Sequence, residues 1–355
     1  MFNPAGYAVD ADVDSSLETI YVSEGWNVNP EEVDCTDMFR NCRKLVGGNG
    51  TEYSWPHIDG EYARIDGGAE APGYLTSADR GVLSGSSLTL DGRIGINFYT
   101  KPGPKAAKAV LEGPLGTVEI PAAQFESLKV QDGDYAGCIK LTCGINATQR
   151  LNKVTLKLYD SEGGLLDLCK SNYEMLPDKQ FSYSAADYID SYQDTGSLAL
   201  TTLVTALERY FKSAENYFKG TSYEIFPEDY QYQWFDIFND TNGAYKLSLV
   251  LNSGTDLRIY SDAEQILIRK TGDTYAALES ETKNGKKYFV IPDIPAQKMV
   301  DSREIQIDGE TYYVCLRDWC YYAATLDGGS GKLFDLAMAF YEYGKAAEAY
   351  LWPNT

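Results

Sequence analysis

The chain has one histidine, His57 in SWPHIDG, and that limits its chemistry more than any other residue count. A histidine base needs an orienting partner and a nucleophile, and nothing near His57 has that arrangement, so it is expected to pack or to sit in a loop. Histidine-rich metal sites and most hydrolytic triads fall away with it. A facing carboxylate pair, as in glycoside hydrolysis, stays open in any chain with 52 acidic residues, yet no pair stands out. Asn239-Asp240 with Asn242-Gly243, and the run Asp10, Asp12, Asp14, carry oxygen ligands for calcium. Neither has the EF-hand spacing or its closing glutamate, so a turn and a tail are expected. Cys138 and Cys143, like Cys315 and Cys320, lie five apart, which on a strand points them to opposite faces. None of the seven cysteines has C-x-x-C spacing, and burial as small hydrophobes is expected for them. No catalytic residue, metal site or cofactor is assigned.

Aromatic residues remain. The chain has 28 tyrosines, and Tyr223, Tyr230, Tyr232, Trp234 and Phe235 crowd one stretch, SYEIFPEDYQYQWFDIFNDTNG. Rigid amphipathic Tyr and Trp suit protein recognition and stacking on sugar rings, and these five are the candidate ligand-binding residues. The competing expectation is that they pack neighbouring modules together.

A formal net charge of −21 argues against nucleic-acid or anionic-membrane partners, which need concentrated positive surface. Lys105 with Lys108, and Lys283 with Lys286 and Lys287, do not continue along a face and are expected in solvated loops. No run approaches the roughly 18 apolar residues that span a bilayer. The opening MFNPAGYAVDADVDSS lacks a basic region followed by an apolar one, so it does not read as a signal peptide; residues 1–16 are expected to be an acidic, disordered end.

A repeat organises the elements that would hold these residues. LVTALERYFKSAENYF (203–218) returns as LAMAFYEYGKAAEAYL (336–351) at a constant offset of 133, with seven of sixteen positions identical, Tyr210/Tyr343 and Glu215/Glu348 among them. Leu203, Ala206, Leu207, Tyr210, Phe211, Ala214, Tyr217 and Phe218 form one helical stripe, expected to lie on and seal a sheet. Upstream, SLTLDGRIGINFYT alternates about Asp91-Gly92 as a hairpin, answered by YKLSLVLNSGTDLRIYS, with Tyr260 matching Tyr99 at an offset of 161. Ile294 matches Ile145 at 149, and Arg317-Asp318-Trp319 matches Ala186-Asp187-Tyr188 at 131. Further strands are expected at 109–111, 116–120, 135–142, 153–159 and near 165–169. Near the start, 19–22 alternates as a short strand, and Met38, Phe39, Cys42 and Leu45 suit one or two helical turns within 34–45.

The set TIYVSEGW, DMFRNC, LVGGNGT, YARIDGG and PGYLT, in that order within residues 17–76, resembles the last repeat and C-terminal cap of BspA-like leucine-rich-repeat surface proteins. A solenoid coil buries its apolar side only against neighbouring coils. The resemblance therefore implies further repeats and a signal peptide upstream, in a longer parent chain. The repeated unit, with its LxLxGxIGxNFY hairpin, AxxMxD segment and SxxDY helix start, is similar to a module at the C-termini of clostridial cell-surface proteins.

The expected fold is multidomain α+β. It comprises a leucine-rich-repeat cap (17–76), a linker (77–85), a β-rich module with a terminal helix (86–219), an aromatic bridge (220–233) and a second such module (234–352). The resemblances imply a secreted, cell-surface protein of a Gram-positive gut-type bacterium. It would be non-catalytic and serve adhesion or the binding of host, matrix or bacterial surface proteins. The alternative is carbohydrate recognition, as a binding module or an accessory part of a glycan-degrading enzyme.

Overall fold

The computed structural model describes residues 15–351, except 24, 30–31, 91, 173, 194–195, 233–242 and 252–253. The acidic end over 1–14 and both calcium-like clusters therefore fall outside the described residues, apart from Gly243. The architecture is mixed α+β, with several small antiparallel sheets and four helices among the described residues.

Strand β1 (Ile20–Val22) pairs in parallel with β2 (Leu75–Ser77), Ile20 opposite Leu75. The chain between them closes its own small core of Met38, Phe39, Cys42, Leu45, Ala63 and Tyr74. The helical turns expected over 34–45 do not form. Asp37 and Asn41 take φ of 53° and 65°, outside the right-handed helix, and Asp37 N donates to Asp59 Oδ1 at 2.8 Å. Aspartate and asparagine tolerate that region better than other non-glycine residues, so a run of turns buries the same apolar side chains. Asp66, 2% exposed, fixes the loop over 47–51: Oδ2 accepts from Asn49 N (2.7 Å) and Thr51 N (3.0 Å), and Oδ1 from Thr51 Oγ1 (2.7 Å) and Gly68 N (2.9 Å). The described residues form one parallel strand pair here and no solenoid.

Next come β3 (Gly81–Thr89), β4 (Gly95–Lys101), β5 (Lys108–Gly113), β6 (Gly116–Pro121), β7 (Ile139–Gly144), β8 (Val154–Tyr159), β9 (Leu168–Lys170) and β10 (Gln180–Tyr183), then α1 (Ala185–Tyr192) and α2 (Leu198–Lys219). Residues 81–85, read as linker, are thus strand, and 135–138, read as strand, turn ahead of β7. After the bridge come β11 (Lys246–Leu251), β12 (Thr255–Tyr260), β13 (Ile266–Arg269), β14 (Tyr275–Ala277), β15 (Ser280–Lys283), β16 (Lys286–Ile291), β17 (Arg303–Ile307) and β18 (Glu310–Val314), then α3 (Leu316–Thr325) and α4 (Lys332–Leu351).

The sheets repeat as the sequence does. Order β10-β8-β5-β6 in the first set is matched by β18-β17-β13-β14 in the second, and β7-β4-β3 by β16-β12-β11. β9, parallel to β3, is particular to the first set, and β15 to the second. The helix starts correspond as well. Ser184 caps α1 in a reciprocal box with Asp187: Ser184 Oγ accepts from Asp187 N at 3.1 Å, and Ser184 N donates to Asp187 Oδ2 at 2.8 Å. At α3 the corresponding pair is Cys315 and Asp318, with Cys315 Sγ donating to Asp318 Oδ2 at 3.2 Å.

Leu203, Ala206, Leu207, Tyr210, Phe211 and Ala214 are buried, each large one contributing roughly 1.5–3 kcal/mol. Tyr217 and Phe218, which end the stripe, are exposed. The helices do not simply seal their own sheets. α2 and α4 pack on each other, with Tyr210 stacked on Tyr343 (centroids 5.4 Å, planes 4° apart) and tilted against Phe340 (5.1 Å). Lys332 Nζ, at the start of α4, donates to Thr221 O just past the end of α2 at 2.9 Å, so the helices run antiparallel. One hydrophobic cluster runs from Leu83 to Ala347 through both sets of sheets.

Candidate functional site

Of the five aromatic candidates, Tyr230 and Tyr232 come together and Tyr223 lies apart; Trp234 and Phe235 fall outside the described residues. Gly220, at φ 76°, ends α2 in the left-handed conformation and turns the chain back. Asn216 then pins Tyr223, its Oδ1 accepting from Tyr223 N and its Nδ2 donating to Tyr223 O, both at 2.8 Å. The Tyr223 ring lies 5.8 Å from the Arg150 guanidinium and is about a third exposed.

Tyr230 is half-buried against both long helices. Its hydroxyl donates to Glu342 Oε1 of α4 (2.7 Å) and accepts from Arg209 Nη1 of α2 (3.1 Å), and Arg209 also meets Glu342 Oε2 at 3.3 Å. Burial first, then the hydrogen bond to Glu342, push the Tyr230 phenol up to about 12. Phe226 lies 4.8 Å from Tyr230 and 5.1 Å from Tyr232, and Tyr232 meets Phe334 of α4 edge-on at 5.1 Å. These two rings brace the bridge against the helix pair, which leaves only part of each ring open to a ligand.

A second aromatic surface was not singled out from sequence. On β4, Ile96, Phe98 and Thr100 face inward, so Asn97, Tyr99 and Lys101 share the opposite face. Tyr99 lies parallel to Tyr135, centroids 4.0 Å and planes 10° apart. Gly85 permits this, since a β-carbon there would stand 2.5 Å from the Tyr135 hydroxyl. Beside the stack runs a polar ladder across three strands. Ser87 Oγ lies 3.1 Å from Tyr99 Oη, Asn97 Nδ2 donates to Ser87 Oγ at 3.0 Å, and Thr142 Oγ1 donates to Asn97 Oδ1 at 2.7 Å. Burial, then the neighbouring Tyr192 and Tyr99, push the Tyr135 phenol up. Tyr188 and Tyr192 of α1 continue the aromatic area, 4.6 Å apart.

The matching face of the second set carries Arg258 and Tyr260, the positions corresponding to Asn97 and Tyr99. Tyr260 tilts on Tyr288 at 5.5 Å, Arg258 lies 4.4 Å over the Tyr288 ring, and the Tyr288 hydroxyl bonds Glu281. The sequence signal for both surfaces was the match of Tyr99 with Tyr260 on strands whose alternate residues are apolar. The first face offers the half-buried Tyr99–Tyr135 stack beside the Ser87 and Thr142 hydroxyls, with Asn97 buried beneath them; on the second, Tyr288 is buried under Arg258, which leaves Tyr260 and Arg258 as the partly open groups.

His57 is held by Glu61 Oε1 at 2.6 Å from its Nδ1 and stacks on Tyr62 at 4.3 Å. The seven cysteines are buried and unbridged; burial, then Asp318, push the Cys315 thiol up to about 12. No helix among the described residues is long and apolar enough to cross a membrane, and no group of three or more His, Cys, Asp or Glu among them is placed to hold a metal ion. A groove of about 770 Å³ lies between the 44–50 loop and Asn172, Glu174 and Met175. Comparison with protein-family models, with curated proteins and with solved structures returns no match.

Proposed function

We propose that this chain belongs to a secreted, cell-surface BspA-like leucine-rich-repeat protein of a Gram-positive bacterium, and that it binds partner proteins without catalysis. The observation that carries the reading is the half-buried Tyr99–Tyr135 stack on the outer face of β4, with Tyr260 at the corresponding position of β12, each strand having an apolar opposite side. Tyrosines fixed by stacking give large contact area at little entropic cost, as recognition surfaces require. The parallel pairing of β1 with β2 supports the cap reading, because successive solenoid coils pair in that sense. On this reading residues 17–76 are a cap, and the two sheet-and-helix sets are tandem modules joined by the aromatic bridge. A net charge of −21 favours a basic partner, with binding that weakens as salt rises.

Carbohydrate recognition is the second reading, favoured by the Ser87 and Thr142 hydroxyls, held by buried Asn97 beside the Tyr99 ring. Presenting the purified chain to a panel of matrix and host proteins and to a glycan array separates the two. The expected result is saturable binding to a protein, weakened about tenfold or more in Tyr99→Ala while the circular dichroism is unchanged. Binding confined to glycans would overturn the protein reading, and binding unaffected by Tyr99→Ala and Tyr260→Ala together would remove the tyrosine faces from it.

A further inference from the structure

The places where the two repeats touch are occupied by corresponding residues. At the helix offset of 133, Tyr210 corresponds to Tyr343 and Arg209 to Glu342, and these pairs meet as a ring stack at 5.4 Å and an ion pair at 3.3 Å. At the hairpin offset of 161, Arg93 corresponds to Gly254, and these two form an antiparallel bridge, with Thr255 N donating to Gly92 O at 3.2 Å. Counterparts that meet with their chains running antiparallel lie near a local two-fold axis, and the antiparallel helices crossing at Tyr210/Tyr343 have that geometry. Two contact points, on different elements, each set a residue against its counterpart in the antiparallel sense.

An interface of this kind is isologous: one patch pairs with a copy of itself. We propose that the face carrying Arg209 and Tyr210 is a module-pairing surface whose partner is a second copy of this chain, entered by reciprocal exchange of the second repeat. In the structure that surface is filled within the chain by α4. Every contact across the axis is reproduced when the first repeat of one chain meets the second repeat of another, so the exchanged dimer loses no pairing contacts. The tether permits it. With the Tyr230 and Tyr232 contacts to α4 kept in the exchanged pair, the chain from Tyr232 to Lys246 spans at most roughly 46 Å at about 3.3 Å per residue. Exchange between neighbouring chains would link them on a surface, a consequence that rests on the adhesive reading; the pairing itself does not.

The ion pair gives a test with purified chains alone. In Arg209→Glu the pair within one chain becomes two carboxylates, and in Glu342→Arg it becomes two guanidinium groups. When the two variants are mixed, unfolded together and refolded, exchange restores one correct and one reversed pair across the two interfaces. The expected product is a heterodimer of about twice the 39.4 kDa chain mass by light scattering, containing one copy of each variant by native mass spectrometry. It should not form when either variant is refolded alone. The chain carrying both changes should refold as a monomer. A mixture that yields only monomer or precipitate overturns the proposal, as does a dimer that forms equally in each variant alone. Failure of the doubly changed chain to fold as a monomer also overturns it, because the two positions would then not be interchangeable.

Discussion

Asp66 is a buried carboxylate that anchors the 47–51 loop of the 17–76 unit. It is 2% exposed and accepts four hydrogen bonds, three from backbone N–H groups and one from a hydroxyl. Those bonds hold its carboxyl below the usual carboxylate range, against burial, which acts to raise it. In Asp66→Asn, an amide NH2 replaces one oxygen and faces two donors that it cannot satisfy. Each hydrogen bond to a charged group is worth about 1.5–3 kcal/mol, so losing two, with some relaxation, costs about 3–5 kcal/mol of local stability. The linkage sign follows from the lowered pKa. The ionised carboxylate's contribution is fully present above the unfolded value near 3.9 and is lost as pH falls through the lower folded value. Hydrogen exchange of the Asn49, Thr51 and Gly68 amides reads this directly. In the variant their protection should fall about a hundredfold or more at neutral pH, and the acid-limb loss of protection expected of the parent should be absent. Protection within a factor of five of the parent would show that the loop is held by its own turns, and would refute the assignment of Asp66 as its anchor.

Tyr210→Ala removes a ring that is 2% exposed and stacked on Tyr343, leaving a cavity expected to cost about 3–5 kcal/mol in denaturant unfolding; a loss under 1 kcal/mol would mean that the helices collapse onto each other. Gly85→Ala puts a β-carbon against the Tyr135 ring, so the Tyr99–Tyr135 stack should open, changing the near-ultraviolet circular dichroism, with about 1–3 kcal/mol lost. Tyr230 is raised to about 12, and burial also raises Tyr135, Tyr232 and Tyr343, so their contribution is whole below about 10 and is lost as pH climbs through the folded values. Spectroscopic titration of tyrosinate should show a late fraction that ionises together with unfolding. Complete ionisation near 10 in the folded chain would contradict the burial described.

The repeat was legible because core positions on a helix are restricted in size and polarity. Ala206 and Ala214 recur as Ala339 and Ala347 where a larger side chain would hold the helices apart, and all four are buried. What the stripe faces was not legible. Periodicity says which side of a helix is covered and nothing about the covering element, so a sheet was expected where α4 stands. Charge pattern carried the missing information only in retrospect, since Arg209 and Glu342 occupy the same repeat position with opposite sign. The turns at Asp37 and Asn41 were missed for a different reason. Apolar spacing alone cannot separate a helical turn from a chain that reverses at residues able to adopt positive φ, and DCTDMFRNC offers two of them.

The aromatic residues show the same limit from the side of function. Clustering in sequence drew attention to Tyr223, Tyr230 and Tyr232, but residues close along a chain often serve one local packing task, as Tyr230 and Tyr232 do against Arg209, Glu342 and Phe334. The tyrosine stack at 4.0 Å joins Tyr99 to Tyr135 across a loop, and a partner that distant is set by topology. Strand alternation could still have narrowed the search. Ile96 and Phe98 fix one face of β4 as inward, which leaves Asn97 and Tyr99 on the other, and the same step on β12 leaves Arg258 and Tyr260. The surviving Tyr99/Tyr260 match, with Arg258 where the first set has buried Asn97, gives two faces that share one tyrosine and differ in charge. If both bind, the second face should favour more acidic ground on its partner, and its binding should respond more steeply to salt.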